Sequence, residues 1–178
     1  IIMNQDPKAA DSEGIFESVF VTVGNGNFDP LIKEIDKLKA EGKLPGKVII
    51  QIGHGKYEPK HCEFFKFAPT LQPYYLKATL VISHGGPGTV FEILRKKLPL
   101  IALANRDRTD PMHQVEFLEA ISAESNGLIY CPSIQKLAEK IESAKGHDFI
   151  PYQRPDCTMH ELVNDFLDKI DAKEFRYK

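Results

Sequence analysis

Residues 79–92 read TLVISHGGPGTVFE. The apolar run Leu80, Val81 and Ile82 predicts a buried strand, which stops at Ser83 and His84. Gly85, Gly86 and Gly88 then free the backbone for a sharp turn. Pro87, Val90, Phe91 and Leu94 follow at i, i+3, i+4 and i+7, one apolar helical stripe, and Pro87 suits a first turn where a missing N–H costs nothing. A strand that passes through glycines into a helix start is one way α/β proteins hold a phosphate. The first turn offers unpaired N–H groups and partial positive charge, and glycine admits an anion closely. Glu92 projects from the second turn, away from the apolar stripe. The same pattern also serves plain close packing of strand on helix. No Lys-Ser or Lys-Thr pair follows the glycines, so this is not a Walker A loop, and the G-x-G-x-x-G dinucleotide spacing is absent.

Working outward, a second unit of the same kind lies upstream. Residues 18–24 (SVFVTVG) alternate as a strand, residues 25–28 turn, and Asp29-Pro30 reads as N-cap and first helical residue. Leu31, Ile32, Ile35 and Leu38 supply that helix's core face, and Gly42 to Gly46 ends it. Residues 47–53 (KVIIQIG) predict a second strand and residues 62–67 a short third. A loop from Pro69 leads into a short helix bearing Tyr74, Tyr75 and Leu76, two tyrosines expected to pack beneath the sheet edge. Downstream, residues 98–104 and 127–131 complete six strands. Helices are expected at about 112–124, from Ser133 as cap to about 144, and at about 159–170.

Strands alternating with helices at these intervals imply an α/β fold, a Rossmann-like parallel sheet of about six strands with helices on both faces. A ligand is expected at the carboxyl ends, near the switch point between the first and fourth strands. Both glycine turns, 24–26 and 85–88, fall there and would adjoin across the crevice.

The chain has 178 residues and a net charge of −2, which suits one domain and supplies no basic field for nucleic acid. Its three cysteines, Cys62, Cys131 and Cys157, lack metal-ligand spacing and read as reduced, partly buried thiols. No run approaches a membrane span and no signal peptide is evident. Residues 1–15 read as a loosely held arm, 16–150 as the domain, and 151–178 as a C-terminal helical segment that either packs on the domain or docks a partner.

The block from Phe20 to Ala144 resembles the donor-binding half of GT-B glycosyltransferases, and specifically the Alg13 / PssE-like subunits of two-component enzymes, the glycosyltransferase family 28 C-terminal domain. Three segments carry the resemblance: FVTVGNGNFDPLI (20–32), ISHGGPGTVFEIL with KKLPLIAL (82–103), and TDPMHQ (109–114). The resemblance implies that Gly24, Asn25, Gly85, Gly86, Gly88 and Thr89 border the donor diphosphate and that Glu92 accepts hydrogen bonds from the ribose. It implies that Asp110, His113 and Gln114 face the donor sugar, although His113 and Gln114 at a helix start also suit capping. Where the plant-type motif has Gln directly after its Asp, this chain has Pro111. His84 is a candidate catalytic residue or a strand-end cap, the main base being expected on a partner.

By the same resemblance the chain would be the donor-binding catalytic subunit of an inverting, UDP-sugar-dependent glycosyltransferase, a hexosyltransferase. It would transfer a hexose or N-acetylhexosamine to a lipid-linked acceptor in oligosaccharide or exopolysaccharide synthesis. One Rossmann-like domain is half of such an enzyme. A membrane-anchored Alg14 / PssD-like subunit would therefore hold the acceptor and keep the complex peripheral on the cytoplasmic face of a membrane. No tightly bound cofactor or metal is expected, in keeping with the absent Asp-x-Asp motif; UDP-sugar is the substrate. The alternatives are a non-catalytic nucleotide-sugar-binding regulatory module and, at lower weight, a nucleotide-sugar epimerase, which would normally carry a second domain.

Overall fold

The computed structural model describes residues 16–44, 46–107, 110, 112–153 and 158–171. The N-terminal arm (1–15), Cys157 and the chain beyond 171 therefore lie outside the described residues. Six strands form one sheet: β1 (Ser18–Thr22), β2 (Lys47–Gln51), β3 (Glu63–Phe65), β4 (Leu80–His84), β5 (Leu100–Leu103) and β6 (Leu128–Cys131). The order is β3-β2-β1-β4-β5-β6, and every pairing is parallel. β1 pairs directly with β4, Thr22 opposite Ser83, so the expected switch point lies between them. The helices are α1 (Asp29–Ala40), α2 (Gln72–Tyr75), α3 (Pro87–Arg95), α4 (His113–Glu124), α5 (Leu137–Ala144) and α6 (Met159–Asp171).

Strand side chains alternate between two buried faces, as the two-residue period requires. Val19, Val21, Leu80, Ile82, Ile101 and Leu103 meet Leu31, Ile32 and Ile35 of α1 and Leu137 and Ile141 of α5. Phe20, Val81, Leu100 and Ala102 meet Val90, Ile93 and Leu94 of α3 and Leu118 and Ile121 of α4. Tyr74 and Tyr75 pack around Phe20, their rings 5.3 and 5.4 Å from it, Tyr75 within the core and Tyr74 partly buried against it, so they lie beneath the inner strand β1 and not the sheet edge alone.

Two local expectations change. Phe28, not Asp29, is the N-cap of α1; Asp29 sits in the first turn, and its carboxylate accepts the Lys56 N–H at 3.0 and 3.2 Å. Ser133 precedes a 3-10 turn (Ile134–Lys136) without a side-chain cap bond, and α5 starts only after it.

Asp36 is a buried carboxylate on α1, 2% exposed. It accepts the N–H groups of Lys60 and His61 (2.7–3.0 Å) and the Tyr57 hydroxyl (2.8 Å), tying the β2–β3 connection to the helix. Burial pushes its pKa up, but those N–H groups, the hydroxyl and the His61 ring outweigh burial and hold it below the ordinary carboxylate value. Burial also pushes the Cys62 thiol up to about 12 and the Cys131 thiol up to about 11, consistent with reduced, unreactive cysteines.

A carboxyl group whose folded pKa is depressed stabilises the fold above its unfolded pKa, about 3.9, and loses that contribution as pH falls through the folded value. Asp36→Asn should therefore cost about 1–3 kcal/mol at neutral pH, because an amide N–H would face backbone donors. The difference from wild type should shrink below about pH 4 as the native carboxylate protonates. Urea unfolding at both pH values checks this.

Candidate functional site

The carboxyl ends of β1 and β4 carry the two glycine turns, and the structure brings them into contact through one side chain. The His84 ring, 7% exposed, lies between Gly24 and Gly86. A Cβ at Gly24 would stand 2.7 Å from His84 Cε1, and one at Gly86 2.4 Å from His84 Nε2. Gly24 also has φ +62°, a conformation side chains disfavour. Thr89 completes the contact, its hydroxyl 3.3 Å from the position of a Gly24 Cβ. Gly85 admits α4 instead: a Cβ there would meet Leu118 Cδ1 at 2.7 Å and Gln114 Cβ at 3.3 Å.

Gly88 differs from these three. A Cβ at Gly88 would meet nothing within 4 Å, so the protein's own packing does not require glycine there. It stands in the first turn of α3. Gly86 is the N-cap and Pro87 has no N–H, while Val90 already donates to the Gly86 carbonyl at 3.0 Å. Helix geometry therefore leaves the N–H groups of Gly88 and Thr89 at an end of partial positive charge. Glu92 is exposed one turn further along.

A buried polar network fixes the first turn from below. Thr22 and Gln51, 0% and 3% exposed, end β1 and β2. The Thr22 hydroxyl donates to Gln51 Oε1 at 2.6 Å and accepts the Gly24 N–H at 3.2 Å. Gln51 Nε2 donates to the carbonyls of Gly24 (2.8 Å) and Lys66 (3.0 Å). One amide thus joins the ends of the first three strands. Sequence reading passed over Gln51; its signal was a single polar residue inside an otherwise apolar strand run.

A second set of bonds joins the loop after β5. Gln114, 3% exposed, accepts the Asn105 N–H on its Oε1 at 2.9 Å. Asn105, 4% exposed, donates from Nδ2 to the Asn27 carbonyl at 2.7 Å and accepts the Asp107 N–H at 3.1 Å. Asn105 therefore couples the loops after β1 and β5, another residue absent from the sequence-based candidates. Asp110 Oδ1 accepts the N–H groups of Met112 and His113 at 3.1 and 3.2 Å, which caps the entry to α4. Asn25, Asp110 and His113 are exposed. The structure thus brings Gly24, His84, Gly85, Gly86 and Thr89 together at the carboxyl ends of β1 and β4, with Asn25 next to Gly24, Gly88 exposed in the first turn of α3, and Gln114 holding the Asn105 loop. Among the described residues no group of three or more His, Cys, Asp or Glu side chains forms a metal-holding cluster.

Comparison with known proteins agrees with this architecture. Residues 18–170 match the glycosyltransferase family 28 C-terminal domain. The chain is 35% identical over 124 residues to the human "UDP-N-acetylglucosamine transferase subunit ALG13", an alignment that takes in 64% of this chain and 11% of that protein. The fold is shared with Acinetobacter baumannii MurG (TM-score 0.55, 18% identity, 90% of this chain and 51% of that one). It is shared also with a solution structure of ALG13 (TM-score 0.52, 19% identity, 84% and 95%).

Glycines required by packing and the one left open should respond differently to alanine. Gly86→Ala forces a Cβ into His84 and should lower the melting temperature by several degrees, a loss of about 1–3 kcal/mol by overpacking. Gly88→Ala should leave it unchanged or raise it, since alanine is the better helix former by up to about 1 kcal/mol. Thermal unfolding of the two variants side by side makes the comparison.

Proposed function

This chain belongs to the glycosyltransferase family 28 C-terminal domain family, and from that premise we propose that it is the donor-binding subunit of a heteromeric, UDP-sugar-dependent glycosyltransferase. The observation that carries the reading is the open first turn of α3. Its first-turn N–H groups and the packing-independent Gly88 stand at the same carboxyl-end side of the sheet as the Gly24 turn. A diphosphate there would receive N–H hydrogen bonds and the favourable end of the helix dipole, with Thr89 adding a hydroxyl. Glu92, one turn on, suits the two hydroxyls of a ribose as a bidentate acceptor. Asp110 and His113, exposed on the adjacent loop and helix start, are left to meet the sugar.

In this reading the reaction is transfer of a hexose or N-acetylhexosamine to an acceptor hydroxyl with inversion at the anomeric carbon. A general base removes the hydroxyl proton. The backbone N–H groups and helix dipole stabilise the departing UDP, so the chain's part needs no resident cofactor. We assign His84 the role of a spacer that sets the distance between the two turns, and place the base on a partner subunit.

The partner would be an Alg14 / PssD-like, membrane-anchored protein that presents a lipid-linked acceptor at the cytoplasmic face. α6 supplies a surface for it. Met159, Leu162, Val163, Phe166 and Leu167 repeat along one side of the helix and are 47–62% exposed. No helix among the described residues is long and apolar enough to cross a membrane.

Calorimetric titration with UDP and UDP-sugars tests the donor site. Glu92→Ala should weaken binding by about tenfold or more, the loss of a charge-assisted hydrogen bond of roughly 1.5–3 kcal/mol. Sugar transfer should appear only when the partner subunit is added. Tight UDP-sugar binding with no effect on the partner's transfer rate would favour a regulatory module instead.

A further inference from the structure

Asn105, two residues past the end of β5, uses both ends of a buried amide. Its Nδ2 donates to the Asn27 carbonyl at 2.7 Å, and its Oδ1 accepts the Asp107 N–H at 3.1 Å. One partner is an acceptor and the other a donor, so the orientation of the amide is fixed. The Asn105 main-chain N–H donates to Gln114 Oε1 at 2.9 Å. Gln114 stands at the start of α4, where its Cβ lies 3.3 Å from the place a Gly85 Cβ would take. One residue thus ties together the turn after β1, the loop leaving β5 and the helix start packed on Gly85. Leucine has the shape of asparagine without either polar group. Aspartate keeps the acceptor but would set a carboxylate oxygen against the Asn27 carbonyl.

The Asn27 bond differs in direction from the others that hold the first turn. The Gly24 carbonyl is held by Gln51 Nε2 and the Gly26 carbonyl by the His54 N–H, each at 2.8 Å and each from the β2 side. Asn105 reaches the turn from the opposite side, from β5. Without its amide the turn keeps two anchors, while the loop after β5 loses its link to the turn. We propose that Asn105 is a positioning residue that sets recognition of the donor's sugar and not of its nucleotide. The inference rests on the donor-site reading above. There the diphosphate and ribose meet the turn after β1, the start of α3 and Glu92, all of which stay anchored when Asn105 is changed. The sugar meets Asp110 and His113, which follow Asn105 along the loop and into α4. Asn105 therefore fixes the spacing between the two halves of the site.

Calorimetric titration of the full chain with UDP and with UDP-N-acetylglucosamine tests this, in wild type and in Asn105→Asp. That substitution keeps the size and the acceptor oxygen and removes the donor to Asn27. Binding of UDP-N-acetylglucosamine should weaken about fivefold or more, and binding of UDP by less than about twofold. Asp36→Asn, which loosens the fold at α1 instead, should leave the ratio of the two affinities at its wild-type value, separating positioning from a general loss of stability. Should Asn105→Asp fail to fold, Asn105→Ser carries the same comparison, since a hydroxyl still accepts the Asp107 N–H but falls short of Asn27. Equal weakening of both ligands, or no change in either, would overturn the proposal and leave the donor site standing. Wild-type protein that binds neither ligand at millimolar concentration would remove the donor-site reading itself, and the proposal with it.

Discussion

The geometry of the crevice depends on one contact, the His84 ring held between Gly24 and Gly86. Two turns from different βα units must approach a single imidazole closely enough that neither tolerates a Cβ. That contact sets the separation of the first turn from the start of α3. Beneath it, Gln51 and Thr22 hold the first turn by its own N–H and carbonyl, so a neighbouring strand as well as the turn's own chain fixes it. Asn105 and Gln114 do the same for the opposite wall. Each of these polar groups is buried, and each is costly to unpair, so the network rigidifies the crevice in the absence of ligand. A pre-formed site loses less ordering entropy on binding.

Much of the fold was legible because it follows from local rules. Apolar runs at strand length, glycine or proline at the turns, and 3.6-residue stripes located six strands and six helices, and the alternation implied a parallel sheet. The switch point then followed from topology. What escaped was long-range and polar. Gln51 bonds to residues 15–29 positions away, and Asn105 reaches Asn27 across 78. No window of sequence contains either pair. Asp36 left a faint mark, since it shares the helical face of Ile32 and Ile35, but an acid at such a position reads as the edge of a solvated face until its backbone donors are seen.

The glycines show the same division. The sequence pattern treats Gly85, Gly86 and Gly88 alike, as room for an anion. In three dimensions Gly85 makes room for Leu118 and Gly86 for His84, and Gly88 is left without an internal reason. The motif thus combines close packing with an open helix terminus, and both meanings of a glycine-rich turn hold at different positions. α6 is the converse case. Its periodicity was plain, but a stripe does not say what covers it, and Met159, Leu162, Val163, Phe166 and Leu167 are exposed.

In the proposed donor site a nucleoside diphosphate would lie across the start of α3, against the Gly24 turn. Amide NMR of the chain saturated with UDP tests it most directly. The resonances of Gly24, Gly88 and Thr89 should move most, with Glu92 following, while those of β6 and α5 stay in place. Largest shifts at the opposite edge of the sheet, or no shift at millimolar UDP in a chain saturated with its partner, would contradict it.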